Sequence, residues 1–253
     1  MKSLSHILRD MNMTGRIIVI NSVVWLTVMV VNAIIAPNNF AVMALDLPGG
    51  LGVIYRPWTP LTYIFTQTDV WHCFFNMLWL LWFGLMLEHC SSRRQVLSSY
   101  IISGLGGAVA FIIATLLIRN GQLSMLEGSS AAVMGVVTLV GCTIPNHSVN
   151  LFLLGNIKLK WIAAATILLF ALSTAGGNIA SQAAHSGGVI TGLAIAWRRY
   201  ARRPRYNKMP ARTMSASDAR AELDTLLDKV KRSGYNSLSD NERRRLIELS
   251  HNV

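Results

Sequence analysis

Apolar residues occur in long blocks along this chain, and polar ones collect between the blocks or at their ends. The first block, about residues 17–35, contains no charge. Others cover about 72–90, 96–118, 130–144, 161–174 and 183–197. Blocks of this kind predict membrane-spanning helices, and six can be drawn. The last three are short for a hydrocarbon layer of ~30 Å at 1.5 Å per residue, so water is expected to reach their ends. Between the first two blocks, Pro37, Pro48, Gly49, Gly50, Pro57 and Pro60 predict a long irregular loop. A weakly amphipathic stretch with Lys158 and Lys160 precedes the fifth block.

After about residue 200 the pattern changes. Leu223, Leu226, Leu227 and Val230 recur at helical spacing, and Gly234 supplies a stop. Ser239 and Glu242 form a capping box before Leu246, Ile247 and Leu249. The expected architecture is an all-α polytopic bundle of six spans over residues 1–200. A basic cytoplasmic helical hairpin follows over 201–253, either a small partner module or a membrane-surface clip.

Composition agrees with the membrane class: 52% of the 253 residues are hydrophobic and 14% charged, against about a quarter in soluble domains. The net charge of +11 is uneven. Residues from 198 onward hold 14 of the 23 Lys and Arg and 7 of the 12 acids, hence +7 of the +11. Lys2, Arg9, Arg16, Arg93, Arg94, Lys158, Lys160, Arg198, Arg199, Arg202 and Arg203 fall on one side of a six-span layout; only Arg56 and Arg119 fall on the other. The positive-inside rule then places both termini in the cytoplasm. No aromatic–basic platform accompanies the charge, so nucleic acid is not an expected partner. Cys73, Cys90 and Cys142 fit no metal motif and are expected to be packing residues; no metal or cofactor is expected.

Polar groups inside an apolar bundle need a reason. His72 and Asn76 share a helix face at the start of the second block; Ser130 opens the fourth and His185 the sixth. The topology sets all four near the outer ends of their helices. Gly188 and Gly192, on the His185 face, allow another helix backbone to come close. Gly128, Ser129, Ala131, Ala132 and Gly135 offer a matching small surface. Packing of the two would bring His185 toward Ser130, where an imidazole can take a proton from an attacking hydroxyl. His72, Asn76 and free amides at the helix start could serve an oxyanion. Each signal alone has a plainer meaning. Gly-Ser-Ser before a helix is a common N-cap, a histidine at a helix start a common packing residue, and His72 and Asn76 can satisfy each other.

Three blocks in order, RPWTPLTYIFTQTDVWHCFFNMLWLLWFGLMLE, GSSAAVMG and AHSGGVITG, resemble the signatures of rhomboid intramembrane serine proteases over about residues 55–197. The resemblance implies the six-span bacterial form. It implies Ser130 as nucleophile, His185 as base, and His72 and Asn76 as oxyanion donors. Gly128 would shape the loop before the serine, and Glu88 would serve structural hydrogen bonding. The implied substrates are single-span membrane proteins cut near the outer face of a bacterial inner membrane. The chain departs from the family pattern at Ala131, where glycine is frequent, and at Gln67, where histidine is frequent. The first-loop Trp-Arg pair is reduced to Trp58-Thr59. The main alternative is an inactive rhomboid-like protein that binds client helices. A small transporter would require internal repeats, and none is seen. A soluble hydrolase elbow would require glycine at position 132, which is Ala132.

Overall fold

A computed structural model describes residues 11–34, 40–118, 124–151, 155–173, 179–202 and 216–252. Lys2, Arg9, Pro37, Arg119, Thr174 and Arg203, used above to draw spans and charges, lie outside the described residues. The fold is mostly helical, and the chain divides into two compact units between Arg202 and Arg203.

In the first unit, α1 runs Met13–Ile34, α2 Phe40–Leu45, α3 Thr59–Thr62, α4 Val70–Cys90 and α5 Arg93–Leu117. These are followed by α6 Ser130–Thr143, α7 Leu159–Ser173 and α8 Ile179–Arg202. Three of them, α1, α4 and α5, are long and apolar enough to cross a membrane. Helices α6 and α7 are shorter, with 14 and 15 residues. At 1.5 Å per residue α6 spans only about 21 Å.

Helix α6 is the centre of the unit. Every residue from Ser130 to Gly141 is buried, and α5, α8, α7 and α4 pack around it. A helix apolar on all sides belongs at such a position. Small residues make the packing close. A methyl built on Gly188 would lie 2.1 Å from the carbonyl oxygen of Ala131, and one on Gly192 would lie 2.5 Å from that of Gly135. On its other side α8 meets α5, where a methyl on Gly187 would lie 2.5 Å from the Gly106 carbonyl oxygen. Backbone therefore touches backbone along both seams of α8.

The start of α1 is tied to the last turn of α4 by Glu88. Its carboxylate accepts from the Met13 and Thr14 amides and from the Thr14 hydroxyl, at 3.0–3.1 Å. Tyr100 on α5 donates to Asn21 of α1 at 3.1 Å, which joins α1 to the centre through buried polar groups.

The long first loop is more ordered than its prolines and glycines predict. It contains α2, α3 and 3-10 turns at Gly50–Ile54 and Tyr63–Phe65. Proline at the start of a helix is compatible with helical φ, and Pro60 occupies that place in α3. Strand β1 (Leu47–Pro48) pairs antiparallel with β2 (Met125–Leu126), which anchors the first loop to the segment before α6. The weakly amphipathic stretch before α7 is an antiparallel strand pair, β3 (Ser148–Leu151) with β4 (Gly155–Lys158). Its residues alternate: Ser148, Asn150, Asn156 and Lys158 are exposed, while Val149, Leu151 and Ile157 pack against the core. The cysteine expectation needs correction at two of three sites. Cys73 is buried, but Cys90 and Cys142 are exposed on the surface of the unit, because they lie at the C-terminal ends of α4 and α6.

The second unit contains α9 (Ala216–Ser233) and α10 (Asp240–Asn252) around Leu226, Leu238 and Leu249. Gly234 joins them at φ +78°, and Glu242 caps α10 by accepting from the Ser239 amide and hydroxyl.

Candidate active site

Ser130 is the first residue of α6. The turn before it is built around Gly128, whose φ of +107° disfavours any residue with a Cβ. Its amide donates to the Tyr63 carbonyl at 3.0 Å, and a methyl there would lie 2.8 Å from His72 Cε1. Two restraints thus fix the approach to α6: a backbone bond to the first loop, and an imidazole lying against a bare Cα. Ser129 occupies the cap position but makes no side-chain capping bond. The Gly-Ser-Ser cluster is therefore not a conventional N-cap, and the first amides of α6 are not closed off by a hydroxyl.

Ser130 Oγ lies 2.8 Å from His185 Nε2. The residues are 5% and 7% exposed and come from helices 55 positions apart. The glycine contacts between α6 and α8 set this distance, because no side chain separates the helices at Gly188. The His185 ring meets Phe170 of α7 edge-on, with centroids 6.1 Å apart. Its Nδ1 is buried and has no hydrogen-bond partner among the described residues. The nearby acids are engaged elsewhere. Asp69 caps α4 by accepting from the His72 amide, and Glu127 accepts from the Thr68 hydroxyl.

A cavity of about 700 Å³ opens over this pair. His72, Ser130 and His185 line it together with Trp71, Phe75 and Trp79 of α4 and Leu169 and Phe170 of α7. Asn76 does not line it. It lies one turn below His72, fully buried, and its Nδ2 donates to Gln67 Oε1 at 2.9 Å. The structure thus brings Ser130, His185 and His72 to one cavity, with Asn76 buried next to His72 on the same face of α4. Gly128 forms the turn before Ser130, against the His72 ring, while Gly188 and Gly192 hold the seam.

Ala131 is accommodated without strain on the helix. Its methyl packs over Gly107 of α5, where a second methyl would approach to 2.6 Å. Phe170 and the aromatic side of α4 are parts of the site that the sequence pattern does not mark. They sit in uniformly apolar blocks, where nothing separates a cavity wall from a lipid-facing side.

In the β1–β2 ribbon, Asp46 precedes β1 at the end where Glu127 follows β2. Asp46 is buried, and its carboxyl is pushed up to about 8, first by burial and then by the charge of Glu127. Burial raises Glu127 as well, opposed by its bond from Thr68. Burial and the Glu127 charge both favour the protonated form of Asp46.

The Rhomboid domain family matches residues 55–202, more than half of the chain. The chain belongs to the rhomboid family. Rhomboid proteins are intramembrane serine proteases or inactive homologues of them, and this rhomboid chain is an integral membrane protein. Residues 215–252 match a second family, one of unknown function (DUF6576). No curated protein matches the rhomboid chain.

Proposed function

We propose that this rhomboid is an active intramembrane serine endopeptidase with a Ser130–His185 dyad. The observation that carries the reading is the 2.8 Å approach of Ser130 Oγ to His185 Nε2 inside a cavity. At that distance the hydroxyl can donate to the imidazole as it attacks a peptide carbonyl. His185 takes the proton, then returns it to the leaving amine. Water, deprotonated in turn by His185, releases the acyl group from Ser130 Oγ. His72, the amide N–H of Ser130 and the Asn76 amide are the proposed oxyanion donors. The unpartnered Nδ1 and the engagement of Asp69 and Glu127 favour a dyad over a triad.

The proposed clients are single-span membrane proteins, cut near the outer face. An aromatic-walled cavity with His and Ser at its base suits an unwound helix segment bearing small residues. The proposed topology is six spans with both termini cytoplasmic, in a bacterial inner membrane. The family also contains non-catalytic homologues that bind clients. Retention of the Ser–His contact argues against that alternative here.

The test is cleavage of a generic single-span reporter by purified protein in detergent, with fluorophosphonate labelling in parallel. Wild type should cleave and label at Ser130. Ser130→Ala should do neither, and His185→Ala should lose cleavage. Equal cleavage by all three proteins would overturn the proposal.

A further inference from the structure

Gln67 lies between the Tyr63–Phe65 turn and α4 and is 0% exposed. A side-chain amide so placed should have all its groups bonded, because an orphaned one costs free energy. Gln67 has one such bond, in which its Oε1 accepts from Asn76 Nδ2 at 2.9 Å. Its own Nε2 is buried without a partner among the described residues, and so is Asn76 Oδ1. A residue kept only for packing at this position would be apolar. The amide is retained at a cost, and what it holds is Asn76.

Asn76 Nδ2 carries two hydrogens. Gln67 takes one and so restricts rotation of the amide about its last torsion. The other hydrogen remains for an acceptor. Asn76 is on the same face of α4 as His72, whose ring lines the cavity beside Ser130. We propose that Gln67 is a positioning residue, fixing the Asn76 amide so that its second N–H is preset toward the developing oxyanion. The proposal rests on the protease reading and on the oxyanion role of Asn76. Preset donors contribute more than ones that must reorient during reaction. Glutamine also performs this task without a titratable group. An acid in its place would bring negative charge next to the oxyanion once ionised.

The experiment measures kcat and KM of the full chain in detergent on a single-span reporter. The variants are Gln67→Met, which keeps volume without the bond, Gln67→Glu, Asn76→Ala, the Gln67→Met/Asn76→Ala double, and Ser130→Ala. Gln67→Met should lower kcat about tenfold with KM unchanged, short of the roughly hundredfold expected for loss of a donor. The double variant should be no slower than Asn76→Ala, since Gln67 acts only through Asn76. Gln67→Glu should lose kcat as pH rises through the carboxyl's ionisation, a fall that wild type lacks. Full kcat in Gln67→Met, or additive losses in the double variant, would overturn the inference. If Ser130→Ala is inactive in that case, the protease reading stands. Wild type indistinguishable from Ser130→Ala would overturn both.

Discussion

At Gly128 the chain turns through φ +107° while its Cα faces the His72 ring. Gly128→Ala therefore meets two penalties, left-handed backbone and a contact of 2.8 Å. It should destabilise the protein by at least about 1 kcal/mol. It should also lower reporter cleavage, because either His72 or the start of α6 must move; thermal unfolding and cleavage rates in detergent check both. Asn76→Ala should leave weak activity, because one oxyanion donor contributes on the order of 2.7–4 kcal/mol to the transition state. Ser130 and His185 stood out as candidates because polar side chains are conspicuous in apolar blocks, and the structure sets them 2.8 Å apart. Gln67 was visible as a departure from a pattern, yet its bond to Asn76 was not. That bond joins a loop to a helix face nine positions on, and spacing cannot show which way a loop side chain turns.

Among the elements, the α6–α8 seam has the least tolerance. Gly188→Ala would place a methyl 2.1 Å from the Ala131 carbonyl oxygen, so α8 must shift and take His185 with it. Cleavage should fall sharply and the unfolding temperature should drop, whereas Gly155→Ala, which strains its own left-handed turn (φ +68°) outside α6 and α8, should leave cleavage near the wild-type rate. The β1–β2 ribbon makes a different prediction. Asp46 ionises near 3.8 in the unfolded chain but only at about 8 in the fold. Between those values the fold holds a proton that the unfolded chain has released, so this group makes stability decline as pH rises. Asp46→Asn removes the dependence. It should exceed wild type in unfolding temperature at pH 8, with the gap closing toward pH 4. The helices could be read from block length and composition. The two-residue strands could not, because ladders so short leave no alternation, and the β3–β4 hairpin was hidden by a weak pattern around polar residues.

For the whole molecule, hydropathy and basic loops announced a helical membrane protein, and the three motif blocks announced its family. What they could not supply was the interior arrangement, since a uniformly apolar helix such as α6 looks the same whether it faces lipid or the four helices packed around it. The division after Arg202 yields a prediction of its own. A chain ending at residue 202 keeps every element of the cavity, so it should label with fluorophosphonate at the wild-type rate. The contact of bare backbones between α6 and α8 also bears on how this protein could be retuned. Nothing there can be trimmed or enlarged by a methyl without pulling the base from the alcohol. New client preferences, whether bred in the laboratory or in nature, must be written on the opposing aromatic wall of α4 and on α7.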